Sequence, residues 1–161
     1  MYSINSESAR HPDILSLIAA LDRYQSELYP AESNHLIDLA ALPETSLILM
    51  VIRDQQLQAV GCGAIVLNGD GTGEMKRVYI DPAHRGQHLG ETLLAALEDE
   101  ALSRHCHTVR LETGIKQRAG LPRSMKLTCA AMLRLPHRTL FSNTLTIRTL
   151  KLPSPRASWA S

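Results

Sequence analysis

Apolar residues fall three and four apart over 12–28, where Ile14, Leu17, Ile18, Leu21 and Leu28 line one side of a predicted helix that Pro12 and Asp13 start. A second short helix is predicted over "ESNHLIDLAAL", ending before Pro43. The pattern then changes to apolar, β-branched runs. "SLILMVIRD" and "QAVGCGAIVL" read as an antiparallel hairpin, and the glycine-rich turn "NGDGTG" leads into a third strand, "EMKRVYI". Leu89, Leu93, Leu94, Leu97, Ala101 and Leu102 share one face of a helix over 87–104, with Glu91, Glu98, Asp99 and Glu100 elsewhere on it. "TVRLETG" follows as a strand. A meander followed by a strand–helix–strand unit predicts an α/β chain, with an α+β mixed sheet and helices on its faces.

A length of 161 residues suits one domain with a full core. The apolar runs are too short to span a bilayer, and "MYSINSESARHPD" has no secretory pattern, so no membrane association is expected. Cys62, Cys106 and Cys129 lack metal-site spacing, and "HCH" at 105–107 supplies half a site at best. A reducing, cytoplasmic setting and no metal are therefore expected. Charge changes the picture. Residues 1–117 carry nine Lys and Arg against sixteen Asp and Glu, a net of −7, whereas 118–161 carry eight basic residues and no acid. That basic tail lacks the interleaved aromatics of a nucleic-acid binder, so no nucleic-acid partner is expected.

The candidate chemistry lies in "DPAHRGQHLG", between the third strand and the long helix. Unpaired amides at a helix start attract phosphate, glycines let a ligand approach the backbone, and Arg85 adds a fixed charge with forked donors. Such a loop suits a pyrophosphate, although by itself it is equally compatible with an ordinary tight connection.

The string "RVYIDPAHRGQHLGETLLAALEDEA" resembles the acetyl-CoA-binding segment of the GNAT N-acetyltransferases. "LYPAESNHLIDLAAL", "VGCGAIVL", "GEMKRVYI" and "VRLETGIKQ" extend the resemblance over about residues 1–117. It implies a GNAT acyl-CoA N-acyltransferase domain over 1–117 with its acetyl-CoA-binding core at 74–104. The implied activity is transfer of acetyl from acetyl-CoA to an amine of a small molecule or protein, by direct attack in a ternary complex. Strand 74–80 would leave backbone groups of Val78 and Ile80 free for the pantetheine arm and thioester carbonyl. Arg85, Gly86, Gln87, His88, Leu89 and Gly90 would surround the pyrophosphate. The family pattern has glycine where this chain has His88, which predicts weakened cofactor binding. For the base, Glu74 shares strand parity with Val78 and Ile80, and Glu112 on the following strand is the other carboxylate in range. The plain alternative is that Glu74 pairs with Lys76 and Glu112 makes a structural hydrogen bond. Family members often pair, so a homodimer is an expectation as well.

The resemblance stops after Gln117. The family continues with a helix containing a Leu-Tyr-Glu string whose Tyr protonates the departing thiolate, but no Tyr follows Tyr79 here. Two accounts stand. If Arg123 to Leu127 is encoded CGC TCT ATG AAG CTT, reading from the third base gives Leu-Tyr-Glu-Ala, so a shifted frame would explain the tail. The other account is a divergent extension. Either way 118–161 is expected to be irregular, leaving strand "TVRLETG" as an open edge. The alternative function is accordingly a non-catalytic acetyl-CoA-binding remnant, or an inactive truncated or frameshifted acetyltransferase.

Overall fold

A computed structural model of the chain describes residues 1–28, 37–112, 138–141 and 144–148; at 24, 25, 27, 28, 111, 112, 138–141 and 144–148 it describes backbone only. Strands β1 (Ser3–Ser6), β2 (Leu47–Arg53), β3 (Ala59–Leu67), β4 (Thr72–Ile80), β5 (Thr108–Glu112), β6 (Arg138–Phe141) and β7 (Thr144–Arg148) form one sheet in the order β1-β2-β3-β4-β5-β7-β6. Pairing is antiparallel except between β4 and β5, which run parallel across the connection through helix α2 (Leu89–Ser103). Helix α1 (Pro12–Leu28) lies between β1 and β2 in the chain. Among the described residues no helix is long and apolar enough to cross a membrane.

Each helix covers one face of the sheet. Ile14 and Leu17 of α1 pack with Leu47, Leu49, Val51, Cys62 and Ala64. On the other face Leu93, Leu94, Leu97 and Ala101 of α2 pack with Ile48, Ile52, Ile65, Met75 and Val109. These are the positions that the two spacings select in the sequence, one at period 3.6 and the other at period 2. Gly63 lets α2 come close to β3, since a Cβ there would stand 2.7 Å from Leu97 Cδ1. Burial of a Leu such as Leu93, which has no exposed surface, is worth about 2–5 kcal/mol against its alanine truncation.

Three expectations meet a different structure. Strand β1 is an element that the mostly polar string Ser3–Ser6 does not announce; its backbone pairs with β2 and Ile4 packs against the α2-side core, while its other side chains are exposed. Of "ESNHLIDLAAL", 32–36 lie outside the described residues, and the remainder forms a single 3₁₀ turn over Leu39–Ala41, capped by Asp38 accepting from the Ala40 amide at 3.0 Å. Strand β5 is not an open edge, because β7 pairs with it from Thr108 opposite Arg148 to Glu112 opposite Thr144. Within 118–161, then, 138–141 and 144–148 are paired strand, and the rest of that segment lies outside the described residues.

Arg53, at the end of β2, fastens the region where β1 leads into α1. Its Nε and Nη2 donate to the two carboxylate oxygens of Glu7 at 2.7 and 2.6 Å, and its Nη1 donates to Asp13 at 2.5 Å and to the Leu57 carbonyl at 2.7 Å. Asp13 also pairs with His11. The hydrogen bond from Arg53 is the main reason that the Asp13 carboxyl titrates at about 2 rather than 3.8. A lowered folded value means that this pairing stabilises the fold fully above the unfolded value and loses its effect as pH falls toward the folded one. Arg53→Met is therefore expected to destabilise the protein by about 2 kcal/mol at neutral pH. Thermal melts of both proteins between pH 7 and pH 2 check this: the Asp13 share of the deficit should shrink only below about pH 4.

Candidate active site

Strand β4 carries one residue more than its partner. Cys62 pairs with Tyr79 and Ala64 with Lys76, so Arg77 and Val78 together stand opposite Gly63. That is a β-bulge, and Arg77 takes φ = 54°, a left-handed angle at which such bulges ordinarily place glycine. The extra residue inverts the facing of everything beyond it. Glu74 and Lys76 lie opposite Val66 and Ala64, on the α1 side, whereas Val78 and Ile80 pack with the α2 core. The parity argument that put Glu74 on one face with Val78 and Ile80 therefore fails, because strict alternation does not survive the bulge.

Strand β4 also parts from β5. Their parallel register runs from Thr72 opposite Thr108 to Glu74 opposite Arg110 and goes no further, although β4 continues to Ile80 and β5 to Glu112. Glu74 thus stands at the fork between the strands. Its carboxylate lies 2.6 Å from Lys76 Nζ, the side chains being 34% and 17% exposed, so the ion pair foreseen as the plain alternative forms. Glu112 ends β5, and its side chain lies outside the described residues.

From Ile80 the chain enters a 3₁₀ turn, Pro82–His84, capped by Asp81 accepting from the Ala83 amide at 2.8 Å. Arg85 Nε donates to the Ile80 carbonyl at 3.0 Å, which takes one of that oxygen's two acceptor positions. The contact also fixes the guanidinium beside the end of β4. Gly86 follows at φ = 85° with nothing within 4 Å of a Cβ built on it, so backbone angle and not crowding favours glycine there. Gly86, Gln87 and His88 are exposed, while Leu89 is buried and Gly90 half-buried at the helix start.

His88 is the N-cap of α2, at φ = 59° and ψ = 15°. A left-handed angle suits glycine best, and histidine tolerates it better than most side chains do. Its imidazole makes no capping hydrogen bond and stands 3.5 Å from Glu91, both largely exposed. The first-turn amides of α2 therefore have no side-chain acceptor from their cap and remain available to an anion. This uncapped amide cluster, the open space around Gly86 and the adjacent Arg85 fit a diphosphate.

Sequence reasoning missed what holds this loop. Tyr2, just before β1, shares a hydrogen bond of 3.0 Å between its hydroxyl and His84 Nδ1, with the two rings edge to face at 5.9 Å. A polar cleft of about 230 Å³ lies beside this contact, lined by Tyr2, Asp54, His84 and Gln87 among others. The two cysteines among the described residues, Cys62 and Cys106, are not poised for chemistry. Cys62 is fully buried, and burial pushes its pKa up to about 12 against the opposing charge of Arg77; burial raises Cys106 as well. Neither is a thiolate at neutral pH, so neither is placed to carry an acyl group. Among the described residues no three metal-ligating side chains come together.

Comparison with known proteins agrees with this geometry. A family model described as the acetyltransferase (GNAT) family matches residues 14–121. The IAA acetyltransferase of Azospirillum brasilense is 42% identical over 116 residues, which span 71% of this chain and 75% of that protein. The crystal structure of a protein provisionally described as an acyl-CoA N-acyltransferase, from Klebsiella pneumoniae subsp. pneumoniae, is 42% identical, with a TM-score of 0.72 over 93% of this chain and 99% of that one. An aminoglycoside 6'-N-acetyltransferase complexed with coenzyme A shares the fold at 16% identity, with a TM-score of 0.64 over 94% and 99% of the two chains. The fold, the loop at the start of α2 and the match over most of the chain agree: this protein belongs to the GNAT acetyltransferase family.

Proposed function

We propose that the chain is an N-acetyltransferase that moves the acetyl group of acetyl-CoA to an amine by direct attack. One observation carries this reading: the uncapped amides of α2, with Arg85 beside them, sit at the end of a strand that, among the described residues, has no partner on its β5 side beyond Glu74. In it, Gly86, Gln87, His88, Leu89 and Gly90 surround the diphosphate of acetyl-CoA while Arg85 supplies charge. Backbone of β4 near Val78, which has no β5 partner among the described residues, meets the pantetheine arm and polarises the thioester carbonyl. The acyl donor enters the fork from the α2 side and the amine from the α1 side, where Glu74 lies. The amine nitrogen forms the new bond to the acetyl carbon, the carbon–sulfur bond breaks with its electron pair leaving on coenzyme A as the thiolate, and Glu74 takes the amine proton, with Glu112 as the other candidate base. The raised thiol values of Cys62 and Cys106 favour this direct route over an acyl-enzyme.

A second reading, a non-catalytic acetyl-CoA-binding remnant, has its own support. The family match ends at residue 121, and no Tyr follows Tyr79 to serve as the acid. Thiol release from acetyl-CoA across a panel of primary amines, with the substrate of the Azospirillum relative included, separates the two: catalysis predicts amine-dependent release and a remnant predicts none.

Isothermal titration should show one acetyl-CoA per chain, with Arg85→Ala weakening it about tenfold. His88→Gly is expected to tighten acetyl-CoA about five- to tenfold by removing the exposed imidazole from the approach to the first amides of α2, and unchanged affinity would refute that crowding. Glu74→Gln should lower amine-dependent turnover about 100-fold while leaving the dissociation constant for acetyl-CoA unchanged.

A further inference from the structure

Arg77 is the residue in this structure whose backbone and side chain disagree most. Its backbone occupies an angle meant for glycine, yet its side chain is long and only 7% exposed. The side chain lies on the α1 face of the sheet. Its Nε stands 2.8 Å from Asp22 Oδ1 of α1, an ion pair too bent to count as a hydrogen bond; both atoms are buried and have no hydrogen-bond partner among the described residues. Its Nη2 reaches Asp22 Oδ2 at 3.5 Å and donates to the Ile37 carbonyl at 3.3 Å. Its carbonyl accepts from the Cys62 thiol at 3.5 Å. The guanidinium thus connects β4, α1 and the chain entering the Leu39–Ala41 turn.

We infer that Arg77 is a positioning residue whose ion pair with Asp22 holds the β4 bulge in place, and that the bulge in turn sets the acetyl-CoA site on the opposite face of the sheet. A left-handed angle at a non-glycine residue persists only where its surroundings enforce it. Without the clamp, β4 has a competing arrangement available: an unbulged strand with uninterrupted alternation. In that arrangement Val78 and Ile80 turn toward α1 along with Glu74 and Lys76, leave the α2 core, and carry the Ile80 carbonyl away from Arg85. The cofactor loop begins one residue later, so it moves too. Asp22 touches none of the residues proposed to hold acetyl-CoA, yet it controls them through Arg77.

The inference rests on acetyl-CoA binding at the 85–90 loop, and titration calorimetry with acetyl-CoA on the full chain tests it at a temperature where circular dichroism shows every variant folded. Asp22→Asn should weaken acetyl-CoA about tenfold. Arg77→Gly, which accepts the angle without a clamp, should bind within twofold of wild type, and adding Arg77→Gly to Asp22→Asn should restore the lost affinity. A merely structural ion pair would lower the melting temperature in all three variants and produce no such rescue. If Asp22→Asn proves insoluble, Arg77→Val reads the same effect, with at least tenfold weaker binding than Arg77→Gly. Wild-type affinity in Asp22→Asn, or equal losses in the variants being compared, overturns the clamp alone. A wild-type protein that does not bind acetyl-CoA overturns the cofactor reading itself, and the clamp with it.

Discussion

One extra residue in β4 organises the functional half of this molecule. A strand held on both faces by packed helices has no freedom to slip, so inserting Arg77 opposite Gly63 has to be absorbed locally. Absorbing it divides the strand into two halves with opposite facings. The first half keeps Met75 in the α2 core and turns Glu74 and Lys76 toward α1; the second gives Val78 and Ile80 to the α2 core. Because the register with β5 has already stopped at Glu74, the second half leads into the loop with no neighbour on that side among the described residues. A carboxylate and an anion-binding helix start are thereby offered to one fork from two sides. Neither helix could present both.

The loop that follows shows how little is needed to prepare a phosphate site. Asp81 ends the strand by capping a 3₁₀ turn, Arg85 ties back to Ile80, and two left-handed residues, Gly86 and His88, swing the chain into α2 with its first amides uncapped. Charge and dipole act together there, and both are fixed by backbone contacts. His88 is the discordant member. It holds the right angle at some cost and places an imidazole at a point where the family pattern leaves only hydrogen.

Much of this was legible in the residues. Both helices follow from apolar spacing, and the buried set of α2, from Leu89 to Ala101, is the set that periodicity selects apart from Leu102, which is half-buried. The loop was legible because glycine and arginine at a strand-to-helix junction have few other uses, and a resemblance that runs through several motifs fixed the family. What was not legible shares one cause: backbone geometry with no side-chain signature. A glycine at position 77 would have announced the bulge, whereas an arginine conceals it, and the parity assigned to Glu74 was wrong for that reason. Strand β1 carries a single apolar residue, Ile4, which packs against the α2-side core; one apolar position in four makes no period, so the main-chain pairing with β2 left no mark in the sequence. The pairing of β7 with β5 joins segments far apart in sequence, and long-range pairing leaves no periodic mark of its own.

Tyr2 gives the loop an unusual dependence. Among the described residues strand β1 is an edge of four residues with a neighbour on one side, and short edge strands are where folded chains open most readily. Since His84 is anchored to Tyr2, each fraying of that edge releases the turn that precedes Arg85. Order at the sheet margin and order at the diphosphate loop therefore rise and fall together. A ligand seated at α2 would slow amide hydrogen exchange across Ser3–Ser6 without touching any of those residues.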